Sequence, residues 1–376
     1  MTTGRPLTIV FLIDALGWEV ASHFRFGSLF PRRAPLGTVL GYSSTAIPSL
    51  LTGTRPVEHG SFAMFRAAGA DGTFSFLRGI PRLPHALDWR ARRWLRRLLD
   101  RRGSVRAYYD LYEIPVHLLH HFDVGMKGNP FEPGQAPRES VFDLMRARGV
   151  RWRLWDYRSA EEANLRDAVQ AVSGDVDVLF VYTAELDALM HRVGTQDPAV
   201  GARLARYDVF LHSLVDAARA CGRPCTLTVL SDHGMTPVHT VVDPWGAVEA
   251  RGIKLGRDYV AFFDSTMVRV WGDDRVDAAF ADAFGSLGRK LDDSELDRLG
   301  CKFPGAVYGR SIFLANPGVL VVPSFMGSRR IAAMHGYHPD DAHSLGCFMT
   351  TVENAELPGS ILGFKDFFGR VLDGAR

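Results

Sequence analysis

The sequence predicts an α/β fold, a doubly wound and mostly parallel sheet with helices on both faces, carrying a smaller cap or insertion. Three observations predict it. Short apolar runs at 7–13, 176–182 and 226–230 end abruptly at Asp14, at Thr183 and at Ser231-Asp232, as buried parallel strands do. Segments of helical character at 139–148, 160–172 and 199–221 lie between and around them, and that alternation marks a doubly wound sheet. With 376 residues, the chain has room for one large α/β domain with an insertion or for two domains sharing a cleft. Open sheets of this kind bind ligands beyond the carboxyl ends of their strands, where Asp14 and Asp232 fall.

Two stretches interrupt the alternation within a catalytic unit spanning 1–376. Residues 69–137 are rich in Arg, aromatic residues and prolines, and residues 247–320 read as a smaller α+β unit. Both are expected to cap the edge of the sheet. A formal charge of +2 gives no reason to expect a nucleic-acid polymer as partner. The chain runs from Met1-Thr2-Thr3 into its first strand without an apolar leader, and no apolar stretch reaches the roughly 18 residues of a membrane span. A cytoplasmic location is therefore expected. Cys221, Cys225, Cys301 and Cys347 are too few and too scattered for a disulfide framework and read as free thiols.

Four segments carry residues suited to chemistry. In the first, Tyr42-Ser43-Ser44-Thr45 precedes an apolar helix ending at Gly53, which places a serine at a helix N-terminus where free N–H groups and the dipole favour anions. An isolated Ser-Ser-Thr is more often an N-cap. In the second, Asp187 and His191 stand four apart after a strand and share one face if the segment is helical, although such a pair is more often a surface contact. The third, Asp232-His233 on a turn beyond a strand, is hard to explain as core filling. The fourth is the loop holding His335, His338, Asp340, Asp341 and His343, whose histidines could each be merely solvated. All four bland readings would have to hold at once, and together the segments contain ligands enough for two metal ions.

With Ile13-Asp14-Ala15-Leu16-Gly17, the run from Ser43 to Gly53 and then Pro56-Val57-Glu58-His59-Gly60, Glu185 to Gly194, Ser231 to Met235 and Met334-His335-Gly336-Tyr337, the chain resembles the alkaline phosphatase superfamily. Its nucleotide pyrophosphatase/phosphodiesterase branch is the nearest, and the motifs keep that family's order over nearly the whole chain. The resemblance implies one metal on Asp187, His191 and His335 and another on Asp14, Asp232 and His233, with the Ser43 oxygen touching the second. It also implies Ser43 as nucleophile, ten residues ahead of the Gly53 that closes the following helix, with Ser44 as the fallback. Zinc suits the mixed imidazole and carboxylate set, and manganese or iron is compatible with the same ligand types. A phosphoserine intermediate on Ser43 is expected, on a small or amphiphilic phosphate ester as substrate. A phosphomonoesterase or phosphonate hydrolase using the same metals is the alternative.

The sequence also departs from that pattern. Diesterases of the branch usually carry Thr as nucleophile and an Asn, four residues after the His-Gly step, that contacts a phosphate oxygen. Met64 stands at that position, and Arg66 is the candidate to bind the phosphate instead, against the reading of a solvated Arg beside a core-facing Met. No formylglycine sulfatase signature follows Ser43. Residues 88–102 read as a basic amphipathic helix with seven arginines and an apolar stripe of Ala91, Leu95, Leu98 and Leu99. Either it contacts an anionic membrane, or it is a cap helix with a solvated Arg face. A catalytically silent, membrane-peripheral binding protein would lack a ligand or the nucleophile, and the sequence has all of them.

Overall fold

The computed structural model describes residues 4–103 and 105–374. Met1 to Thr3, where the chain was read for a leader, and the last two positions of the 1–376 unit lie outside them. Six strands form the central sheet: β1 (Leu7–Ile13), β2 (Arg32–Leu36), β3 (Trp152–Trp155), β4 (Val178–Thr183), β5 (Cys225–Leu230) and β6 (Gly346–Thr350). Their order is β2-β6-β5-β1-β4-β3. β3, β4, β1 and β5 pair in parallel, whereas β6 runs antiparallel to both its neighbours. The strand expected at 176–182 runs from 178 to 183, and Asp177 just ahead of it pairs with Arg5 and Arg151.

Period-two alternation sends the side chains of the buried strands to opposite faces. Ile9, Phe11 and Ile13 join Leu179, Val181, Leu227 and Val229 under the helices Glu161–Ala171, Glu185–Val193 and Pro198–Ala220. Val10, Leu12, Phe180 and Leu230 face the other way, under the helices Ser43–Thr52, Val141–Ala147 and Phe364–Gly374. Both faces are covered, as a mostly parallel sheet requires.

Side chains from 69–137 and 247–320 fill a further core together. Leu95, Leu99 and Phe122 from the first meet Phe262, Phe263 and Phe280 from the second. An antiparallel sheet of Val260–Phe263, Met267–Trp271, Ser311–Ala315 and Gly288–Lys290 organises it. Arg269, fully buried in that sheet, donates to Asp264 at 2.8 Å and to the Phe65 carbonyl at 2.6 Å, and lies over the Phe262 ring at 4.6 Å. A buried guanidinium held this way carries no unpaired charge. The basic segment forms the helix His85–Arg102, whose Leu95 and Leu99 are buried in the shared core. Burying each contributes about 1.5–3 kcal/mol. Among the described residues no helix is long and apolar enough to cross a membrane.

Candidate active site

Parallel strands converge on the site with their carboxyl ends. Asp14 follows β1 and Asp232 follows β5, and the register that sets Leu12 opposite both Tyr182 and Leu230 brings their termini together. Ala15 takes a left-handed φ of 60°, a conformation disfavoured for any residue with a Cβ. The sharp turn lets its N–H reach Asp232 Oδ1 at 3.3 Å, tying the ends of β1 and β5 to each other. Strain of this kind costs on the order of 1–3 kcal/mol and concentrates where a site must be held in place.

Ser43 opens its helix, and the first backbone bond of that helix runs from the Thr45 N–H to the Tyr42 carbonyl at 2.7 Å. The N–H groups ahead of it have no carbonyl of the helix to pair with, which suits them to an anion. Pro48 lies inside the helix and has no N–H to offer the Ser44 carbonyl. The Ser61 hydroxyl donates to that carbonyl instead, at 2.9 Å, so the turn under the nucleophile stays satisfied.

The helix Glu185–Val193 puts Asp187 in its first turn and His191 in its last, each at the end the macrodipole favours. Spaced four apart they share a face, and His191 Nε2 lies 3.2 Å from Asp187 Oδ1. His335 Nε2 is 3.4 Å from the same oxygen. In the second cluster, His233 Nε2 lies 3.2 Å from Asp232 Oδ2 and 3.5 Å from Asp14 Oδ1. Ligand atoms within each trio all fall within 4.8 Å of one another. The His233 and His335 rings stack across the two clusters with centroids 3.9 Å apart.

Tautomers show what these trios suit. His191 Nδ1 donates to the Ala333 carbonyl at 2.8 Å and His233 Nδ1 to the Gly234 carbonyl at 3.0 Å, which leaves Nε2 of each ring as the ligand atom whenever that ring is neutral. With Nε2 unprotonated, lone pairs face carboxylate oxygens, an arrangement that a positive charge between them, a proton or a metal cation, makes favourable. Among the described residues, Asp187 Oδ1 and Asp232 Oδ2 are buried without a hydrogen-bond donor. Burial, with Asp232 and Asp187 adding to it, pushes Asp14 well above the usual carboxylate range. Burial raises Asp232 too, despite the proximity of His233. At Asp187 burial is outweighed by the pull of His191, His335 and His233 in their protonated forms, which lowers the carboxyl to about 2. Although burial opposes it, Asp187 raises His191 in return, so positive charge beside this carboxylate is favoured. Burial, then His233, drives His335 well below the ordinary imidazole value. Buried carboxylates with imidazole lone pairs fit two divalent cations.

Ser43 stands against the second trio, its hydroxyl 3.0 Å from His233 Nε2 and 3.4 Å from Asp14 Oδ1. Ser44 lines the adjoining cavity, but no polar contact of its hydroxyl joins it to either trio. The cavity holds about 510 Å³ and is walled by Met64, Tyr108, Tyr112, Phe131, Tyr157 and Met326 among others, with no Lys or Arg in its lining among the described residues. Arg66 is not brought to this cavity. It sits on the short strand Phe65–Ala67 and faces Asp123 at 3.7 Å, across from it in register. Met64 does present itself to the cavity. His338 turns away to Glu295, 3.1 Å distant.

The sequence reading missed Tyr182, whose hydroxyl donates to Asp14 Oδ2 at 2.5 Å. Its place at the carboxyl end of a strand neighbouring β1 was the available signal. Tyr42 was missed as well; its hydroxyl meets Thr266 at 2.8 Å, and its ring lies edge-on to His335.

The family model for type I phosphodiesterase / nucleotide pyrophosphatase matches residues 38–337. Murine ectonucleotide pyrophosphatase / phosphodiesterase 5 superposes with a TM-score of 0.64 at 13% identity, covering 98% of this chain and 95% of its own. Its human counterpart gives 0.64 at 11% identity with the same coverage, and an inactive murine variant in complex with AMP gives 0.63 at 13%, again covering 98% and 95%. A comparison with curated protein sequences finds no match. The chain therefore belongs to the type I phosphodiesterase / nucleotide pyrophosphatase family, within the alkaline phosphatase superfamily, and is a phosphate ester hydrolase.

Proposed function

We propose that the protein is a metal-dependent phosphodiesterase or pyrophosphatase, with Ser43 as the nucleophile and a phosphoserine intermediate. One observation carries this reading: the Ser43 hydroxyl lies within 3.0–3.4 Å of His233 and Asp14 while the second three-ligand set stands beside it. Asp187, His191 and His335 would hold one divalent cation and Asp14, Asp232 and His233 the other, zinc being the best match to the donors. Bound there, two cations supply Lewis-acid charge that eases deprotonation of the serine and of water and stabilises the leaving oxygen.

The chain's own groups do the rest. Ser43 Oγ attacks phosphorus in line as the ester oxygen departs, and water then displaces the serine from the opposite side. First-turn N–H groups of the helix Ser43–Thr52 point at the phosphoryl oxygens. Tyr182 holds Asp14, and the Ala333 and Gly234 carbonyls hold His191 and His233 in the tautomer that leaves Nε2 free. A cavity wall without Lys or Arg suits the single negative charge of a diester better than the double charge of a monoester. Its apolar lining accepts an amphiphilic ester, and four free thiols accord with a cytoplasmic setting.

Turnover of bis-p-nitrophenyl phosphate against p-nitrophenyl phosphate tests the proposal, with Ser43→Ala as the control. Faster diester turnover that disappears in the variant supports it. A variant that keeps its turnover, while Ser44→Ala loses it, moves the nucleophile to Ser44.

A further inference from the structure

The small net charge of the chain conceals a strong separation. Residues 76–106 contain ten arginines and two aspartates, a net +8 in a chain that totals +2, so the remainder is net −6. Both aspartates are already engaged. Asp88 pairs with Arg92 and accepts from the Val116 N–H, and Asp100 takes Arg96 and the Tyr109 hydroxyl. Among the described residues Arg78, Arg82, Arg90, Arg93, Arg97, Arg101 and Arg102 have no acidic partner, and all are exposed.

The helix His85–Arg102 shows how this charge is presented. At 3.6 residues per turn, Leu95 and Leu99 lie on the buried side with Asp88 and Arg92, while Arg90, Arg93, Arg97 and Arg101 fall on the opposite arc. Large apolar side chains flank that arc in water: Trp94 is 61% exposed, Leu87 51% and Trp89 47%, with Phe76 at 52% just ahead of the helix. The Leu stripe packs on the cap, as a plain cap helix requires. The Trp and Leu side chains on the outer side have no such role.

We propose that the outer face of the helix His85–Arg102, with Phe76, Arg78 and Arg82 ahead of it, docks on an anionic lipid bilayer and sets the cavity mouth against that surface. Unpaired guanidiniums complement the negative potential of such a leaflet. Tryptophan partitions to the level of the headgroups, with its ring in the apolar boundary and its N–H toward water. A single-stranded nucleic acid is the less suitable polyanion: base stacking needs rings lining a groove, whereas here rings and an aliphatic Leu87 flank the outside of a helix. The helix is also joined to the cavity wall. Arg92 donates to the Tyr112 carbonyl at 2.7 Å and Arg96 to the Tyr109 carbonyl, and Tyr108 and Tyr112 line the cavity, Tyr108 while remaining 55% exposed.

Sedimentation of the full chain with phosphatidylcholine vesicles containing phosphatidylglycerol, against vesicles of phosphatidylcholine alone, tests the docking independently of turnover. The expected result is binding to the anionic vesicles only, weakened by salt. Arg90→Gln/Arg97→Gln/Arg101→Gln should weaken it by about fivefold per charge removed, and Trp94→Ser should weaken it further without altering its salt dependence. Hydrolysis of soluble bis-p-nitrophenyl phosphate should match wild type in both variants, which shows that they are folded. If the diester proves not to be a substrate at all, an unchanged circular dichroism spectrum reports folding instead and the docking result stands alone. Equal binding to neutral vesicles, or undiminished binding by the triple variant, overturns the proposal. So does competition by a single-stranded oligonucleotide together with wild-type vesicle binding by Trp94→Ser.

Discussion

His191 donates its Nδ1 proton to the carbonyl oxygen of Ala333 at 2.8 Å, which turns its Nε2 toward the Asp187 carboxylate on the same helix, 3.2 Å away. Ala333 opens the two-residue strand Ala333–Met334, and His335 follows it directly, so one short stretch orients a ligand on a distant helix and leads into another.

Metal removal comes first. If two cations neutralise Asp14, Asp187 and Asp232, chelation should abolish phosphodiester hydrolysis and lower the melting temperature together, because an ion that binds only the folded chain stabilises it by mass action. Thermal unfolding with and without a chelator, followed by addition of zinc or manganese, checks this; a melting temperature indifferent to chelation counts against it.

At the nucleophile, Ser43→Ala should lower kcat by at least about a thousandfold, while Ser44→Ala should cost far less, since only the Ser43 hydroxyl bridges toward His233 and Asp14. Rapid-quench detection of a phosphorylated protein in wild type but not in Ser43→Ala provides the chemical check.

Tyr182→Phe removes the hydroxyl that donates to Asp14 Oδ2 and leaves the ring in its core. Loss of a group that supports a ligand typically costs about 10–100-fold in metal affinity or activity. Titration of the chelated protein with zinc should show that weakening, and an unchanged affinity would remove Tyr182 from the site.

Gly336→Ala should displace His335. Gly336 holds φ +90°, and a Cβ there would meet the Tyr42 ring at 2.7 Å and Thr266 Oγ1 at 2.9 Å. A destabilisation of about 1–3 kcal/mol is expected from the backbone alone, with at least about tenfold lower kcat/KM. Urea unfolding and steady-state kinetics read the two effects separately.

His59 gives the protein an acid limit. Burial lowers its pKa from 6.5 to about 4, and the neutral ring accepts from the Ser61 N–H at Nδ1 and meets the Ser49 hydroxyl at Nε2. The unfolded chain therefore binds the extra proton more readily than the folded one. This contribution is whole above pH 6.5 and is lost as pH falls from there toward 4, by at most about 3 kcal/mol. In urea unfolding across that window, His59→Gln should flatten the pH dependence relative to wild type.

Much of this architecture was legible because it is local. The 7–13 run and its terminal Asp14 carried their own period and punctuation, and β1 has those bounds. Asp187 and His191 needed only helical spacing to meet. What stayed hidden depends on pairing across the chain. β6 contains a glycine, β2 is Arg-rich with a proline, and their ladder, with Phe348 opposite Ala34, joins segments far apart in sequence. Shared packing between the two inserted stretches was likewise unreadable, since Phe122 packs edge-on against Phe262 at 5.1 Å through tertiary structure alone. Arg66 shows the converse: its charge suggested phosphate, but strand pairing turned it to Asp123.

Elemental analysis of metal bound to the purified protein tests the central claim most directly, with Asp187→Asn and Asp14→Asn measured beside wild type. Two divalent ions per chain in wild type, with one lost selectively in each variant, is the outcome this account predicts. A wild-type chain that takes up no stoichiometric metal after equilibration with zinc, or variants that retain the full complement, would contradict it.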